Sequence, residues 1–108
     1  MTTILTPLER ALIELVAAEN WPGFRIDGLY VKKRENTGVG RYTSLEDSHK
    51  QQLNDGDYGA QGWLLEMEGI KHGLGFVVNV SAGAINYLEI AVYGNESWDG
   101  VERIWKLV

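Results

Sequence analysis

The chain has 108 residues, 44% hydrophobic and 23% charged, enough for one domain (residues 1–108) with its own core. With no cysteine and only two histidines, His49 and His72, it excludes disulfides, thiol catalysis and cysteine- or histidine-rich metal sites, so no metal or cofactor is expected. A net charge of −5 argues against a nucleic-acid partner, no run approaches the roughly 20 apolar residues of a membrane span, and the N-terminus has no signal-peptide pattern, so a cytoplasmic location is expected.

Thr6, Pro7 and Glu9 open a helix: threonine caps, proline suits the first helical position, and glutamate three residues past the cap completes a capping box. Leu8, Ala11, Leu12, Leu15 and Val16 follow helical spacing and form one apolar stripe, with Arg10 and Glu14 on the other side. Asn20 closes the helix and Pro22 prevents its continuation. Trp21 and Phe24 follow, placed to tuck under the edge of the core.

Residues 28–34 read as a strand with Leu29 and Val31 inward, residues 35–38 as a turn, and residues 39–45 as the returning strand. Lys32, Lys33 and Arg34 read as a solvated edge, where lysine discourages edge-to-edge pairing. Gly38-Val39-Gly40 has no helix after it and is not a phosphate loop. Residues 46–59 are polar and predict the one long loop. Residues 60–68, 73–80 and 84–93 then predict a three-stranded antiparallel meander. Residues 94–100 are turn-rich, with Trp98 as a plug over the sheet end, and residues 104–108 predict a last strand.

Alternation places Trp63, Leu65 and Met67, then Leu74, Phe76, Val78 and Val80, then Leu88, Ile90 and Val92 on the core face. A three-residue loop at 81–83 pairs Phe76 with Leu88 and keeps charge out of the core, whereas a two-residue loop buries Glu89. A four-residue loop at 69–72 likewise pairs Met67 with Leu74. The outward rows are then Glu66, Gly75, Glu89 and Leu64, Val77, Tyr87, with Tyr93 along the same strand. With strands about 4.8 Å apart, Glu66 and Glu89 flank a glycine-floored notch at roughly 9–10 Å between β-carbons.

Three uses of that face are open. It is a solvated sheet surface, a binding surface for a partner's Lys or Arg, or a carboxylate pair. The pair spacing is near the about 6.5–9.5 Å of inverting glycosidases. Both acids lie open to water, which gives neither a reason to hold its proton.

Three fragments, at 34–40 (Arg-Glu-Asn-Thr-Gly-Val-Gly), 68–76 (Glu-Gly-Ile-Lys-His-Gly-Leu-Gly-Phe) and 88–98 (Leu-Glu-Ile-Ala-Val-Tyr-Gly-Asn-Glu-Ser-Trp), together resemble a group of small bacterial proteins. Some of that group are immunity proteins of polymorphic or contact-dependent toxin systems. Arg41 departs from the pattern, where an aromatic or apolar residue is expected. The resemblance implies a non-enzymatic cytoplasmic protein that binds one cognate toxin and blocks its active site or its substrate approach. An acidic protein suits a nuclease toxin, which carries positive charge to hold nucleic acid.

The expected fold is α+β: one N-terminal helix on one face of a curved, mainly antiparallel sheet of about five strands, similar to cystatin-like folds. The expected toxin contacts are Glu66, Glu68, Tyr87 and Glu89, with Glu46, Asp47, Asp55 and Asp57 as a second patch. The alternative is a small-ligand-binding or hydrolytic domain using Glu66 and Glu89.

Overall fold

The computed structural model describes residues 4–108. Helix α1 (Pro7–Asn20) begins with the capping box read from the sequence: Glu9 N–H donates to Thr6 Oγ1 at 3.1 Å, and Thr6 N–H donates to Glu9 Oε1 at 2.9 Å. It ends at Asn20, whose amide donates back to the Val16 carbonyl. The buried face is Leu8, Glu9, Leu12, Ile13, Val16 and Ala17, rotated from the expected stripe so that Ile13 and Glu9 enter the core.

Seven strands follow: β1 (Leu29–Asn36), β2 (Gly40–Asp47), β3 (Gly56–Tyr58), β4 (Leu65–Met67), β5 (Leu74–Ser81), β6 (Ala84–Val92) and β7 (Trp105–Leu107). They form one antiparallel sheet in the order β1-β2-β6-β5-β4-β7, with β3 also paired to β5. Since β6 lines the whole of one β5 edge, β3 and β4 share the other, β3 against Val78–Val80 and β4 against Leu74. The count exceeds the expected five because the polar stretch expected as one long loop contains β3, and because the expected last strand, β7, joins the sheet by pairing with β4.

Helix α1 crosses one face of this sheet, and Leu8, Leu12, Ile13 and Val16 join Leu65, Leu74, Val78, Leu88 and Ile90 in the core. The molecule is 21 Å across its thinnest direction, consistent with two layers, and α1 is the one α-helix among the described residues. Trp21 seals one side of the core against Phe24 and Tyr58, at 5.4 and 5.0 Å between ring centroids. Trp98 is the expected plug, 2% exposed, its indole N–H donating to the Val101 carbonyl at 2.9 Å.

The meander exists, but both predicted registers are off by two residues. The β5–β6 turn has two central residues, Ala82 and Gly83, both at positive φ, and Ser81 pairs with Ala84. A bulge at Asn86 then absorbs one residue, so Phe76 pairs with Ile90, not Leu88. On the other edge Leu65, not Met67, pairs with Leu74. Trp63 lies before β4 and is 44% exposed rather than inward. The expected faces of β5 and β6 survive, because a shift of two leaves every side chain on its own side.

Candidate functional site

The corrected register rebuilds the open face. One row across β1, β2, β6 and β5 is Glu35, Tyr42, Glu89 and Val77. The next, extended by β3, is Lys33, Ser44, Tyr87, Asn79 and Asp57. A third is Gly40, Ala91 and Gly75. Tyr42 and Tyr87 meet edge-on at 5.2 Å and 76° between planes. Asn79 links the Asp57 side to β6, donating to Asp57 Oδ1 at 2.7 Å and accepting from the Asn86 amide at 3.0 Å.

Glu89 is half-buried among these groups. Its hydrogen bond and its charge raise the Tyr42 phenol above its ordinary value. Tyr87 is raised by partial burial and by the charges of Asp57 and Glu89. Lys33 neutralises Glu35 at 3.2 Å, but among the described residues no cation pairs with Glu89 or Asp57. The face therefore carries two uncompensated carboxylates beside two tyrosines, an arrangement that accepts a cation.

The expected notch at Gly75 is not formed. Glu89 stands opposite Val77, whereas Glu66, next to Leu65 in the β4 pairing, is level with Gly73. Four residues along the strand and two strands across place the two acids on the order of 16 Å apart, beyond glycosidase spacing. Gly75 instead lies beneath the Tyr93 ring: a β-carbon there would sit 2.6 Å from the phenol oxygen.

The other sequence-proposed contacts scatter. Glu66 pairs with Lys106 on β7 at 3.6 Å, and with Glu68 it lines a groove of about 660 Å³ beside Ile70, Ile104 and Trp105. Glu46 accepts from Tyr30 at 2.7 Å on the β1–β2 edge, which holds its carboxyl below the ordinary value. Asp47 is buried and holds the following loop through His49 N–H and the Gln51 amide, both at 2.9 Å. Asp55 accepts the Gly83 N–H at 2.8 Å and so braces the β5–β6 turn. Of the eight, Tyr87, Glu89 and Asp57 come together, and Tyr42 joins them unforeseen.

A second polar assembly lies inside the protein. Glu9, fully buried, accepts from Arg34 Nε and Nη2 (2.8 Å each), Arg41 Nη2 (2.9 Å), Thr43 Oγ1 (3.0 Å) and Thr6 N–H (2.9 Å). Arg41 also reaches Glu102 at 2.7 Å and the Gly100 carbonyl at 2.9 Å, and it stacks 5.5 Å over Trp98. Burial by itself would raise the Glu9 carboxyl, but hydrogen bonds from Arg34 and Thr6 and the two guanidinium charges outweigh it and lower it. Arg34 reaches this cluster because a bulge between Val31 and Lys33 turns it inward, so the basic triplet is not one solvated edge. Arg41 joins the cluster through both Glu9 and Glu102.

Among the described residues no three His, Asp or Glu side chains are grouped to hold a metal ion, and no helix is long and apolar enough to cross a membrane. Comparison with protein families, with curated proteins and with solved structures finds no match for this chain.

Proposed function

We propose that this is a non-enzymatic binding protein, an immunity protein of cystatin-like build that works in the cytoplasm by covering the basic surface of a cognate toxin. The observation that carries the reading is the pair Glu89 and Asp57, carboxylates without a cationic partner among the described residues, beside Tyr42 and Tyr87 on the sheet face away from α1. Tyrosines give large contact area at low entropic cost, and unpaired acids select a cationic surface over a neutral one. A nuclease fits, because its substrate requires such a surface. Among the acids proposed as contacts, Glu89 and Asp57 are the two that share a face with Tyr42 and Tyr87.

The test is calorimetric titration against the C-terminal domain of a toxin encoded beside this gene. Binding is expected to be nanomolar, to weaken with added salt, and to weaken at least about tenfold in Glu89→Lys, the scale of a repelled contact charge. Glu66→Lys, on the far edge, serves as the control and should bind as the parent does. Unchanged affinity in Glu89→Lys and Tyr87→Ala would overturn the assignment of this face.

A further inference from the structure

On the edge away from β6, strand β5 lacks a strand partner over a short stretch. β3 pairs with it up to Val78 and β4 only at Leu74, so residues 75–77 face a gap spanned by residues 59–64. A cleft of about 480 Å³ opens there, and Gly75, Trp63 and Tyr93 are among the residues that line it. Both aromatics are strongly exposed, at 44% and 52%. The missing side chain at Gly75 is what admits Tyr93, since a β-carbon would lie 2.9 Å from its Cζ.

The polar lining is acidic and already oriented. Glu19, at the end of α1, accepts the Gln61 N–H at 3.1 Å, and Asp57 accepts the Asn79 amide at 2.7 Å. Asn20 spends both amide hydrogens on the carbonyls of Val16 and Gly59, tying the helix end to the cleft wall. Neither carboxylate has an ion-pair partner among the described residues, and no basic residue lines the cleft. The one cation over an aromatic ring among them is Arg41 on Trp98, so neither cleft ring is so covered.

We propose that this cleft receives an arginine side chain of a partner protein. Exposed ring faces attract a guanidinium through their quadrupoles, and its planar fork can at once donate to a free carboxylate oxygen. Two carboxylates uncompensated by any lining cation favour this occupant over a neutral one. Asp57 belongs also to the Tyr87 row, so the cleft is continuous with the acidic face. The proposal rests on the binding-protein reading for the source of the arginine, while the chemistry of the cleft stands without it.

The test is an NMR titration of the protein with N-acetyl-arginine methylamide, following the Trp63 indole N–H and the Tyr93 amide, with maltotriose as a neutral ring-stacking competitor. Saturable shifts at both positions are expected with the arginine probe, weaker at high salt and absent with maltotriose. Trp63→Leu and Asp57→Asn, both at exposed positions, should raise the dissociation constant about threefold or more, the scale of an exposed cation–π contact. No saturable shift, a stronger response to maltotriose, or two variants that bind as the parent does would each overturn the proposal. Toxin capture without arginine binding would fault this cleft alone, and arginine binding without toxin capture would fault the immunity reading alone.

Discussion

Glu9 shows how one side chain serves two scales of structure. At the helix start its backbone N–H meets Thr6 and its carboxylate meets the Thr6 N–H, the local pattern that the sequence displays. The same carboxylate is the centre of the buried cluster with Arg34, Arg41 and Thr43, which no local pattern displays. Two arginines and two glutamates leave the cluster formally neutral, which makes their burial tolerable. Removing one member strands the rest: Glu9→Ala is expected to destabilise the fold by about 3–5 kcal/mol in urea unfolding, although alanine is the better helix former. The pH dependence follows from the same carboxyl. Its folded pKa lies below the ordinary 4.5, so the folded state holds the proton more weakly. Its contribution is complete above about pH 4.5 and is lost as pH falls through the lowered folded value. Asp99, held down to about 2 by Arg103 and the Val101 N–H, adds to the slope in the same sense. Urea midpoints from pH 2 to 6 should therefore fall toward acid, and less steeply in Glu9→Gln.

At the scale of elements, the β5–β6 hairpin explains both what the pattern gives and where it stops. Keeping Glu89 out of the core demands that Phe76, Val78, Leu88 and Ile90 share a face, and they do. That demand sets register only to within two residues, because side chains repeat every second position. Turn chemistry decides the remainder. Ala82 and Gly83 adopt φ of 54° and 81°, the two-residue turn whose twist suits a hairpin, and the Asn86 bulge restores the parity that such a turn breaks. Alanine is a poor residue for a left-handed position. Ala82→Asn should stabilise the protein by about 1 kcal/mol, read as a raised thermal midpoint. Gly40 is constrained in the opposite sense, since a β-carbon there would lie 2.4 Å from the Ile90 carbonyl oxygen and force β2 away from β6.

Over the whole molecule, the C-terminal segment is held by contacts far away in sequence. The Trp98 backbone N–H donates to the Gly38 carbonyl in the β1–β2 turn, its ring lies under Arg41, and β7 then extends the sheet beyond β4. Trp98→Ala empties this plug and should cost about 3–5 kcal/mol, with faster hydrogen exchange at the Leu64–Val108 pair as the local readout. The net charge of −5 acts at this scale too: it raises the rate of meeting a basic partner and makes that rate fall with salt.

The helix, its cap, the two hairpins, the core faces of β5 and β6 and the burial of Trp98 were legible in the sequence, because each rests on neighbours or on a short period. Three features required the tertiary structure. The pairing of Glu89 with Tyr42 depends on β2 lying beside β6, a contact between segments far apart in sequence. The burial of Arg34 and Arg41 depends on a bulge and on a helix that brings Glu9 over them. The cleft at Gly75 depends on where β3 stops and β4 starts. Periodicity assigns each side chain to a face, and only the assembled sheet, with its bulges and edge breaks, decides which side chains on that face become neighbours.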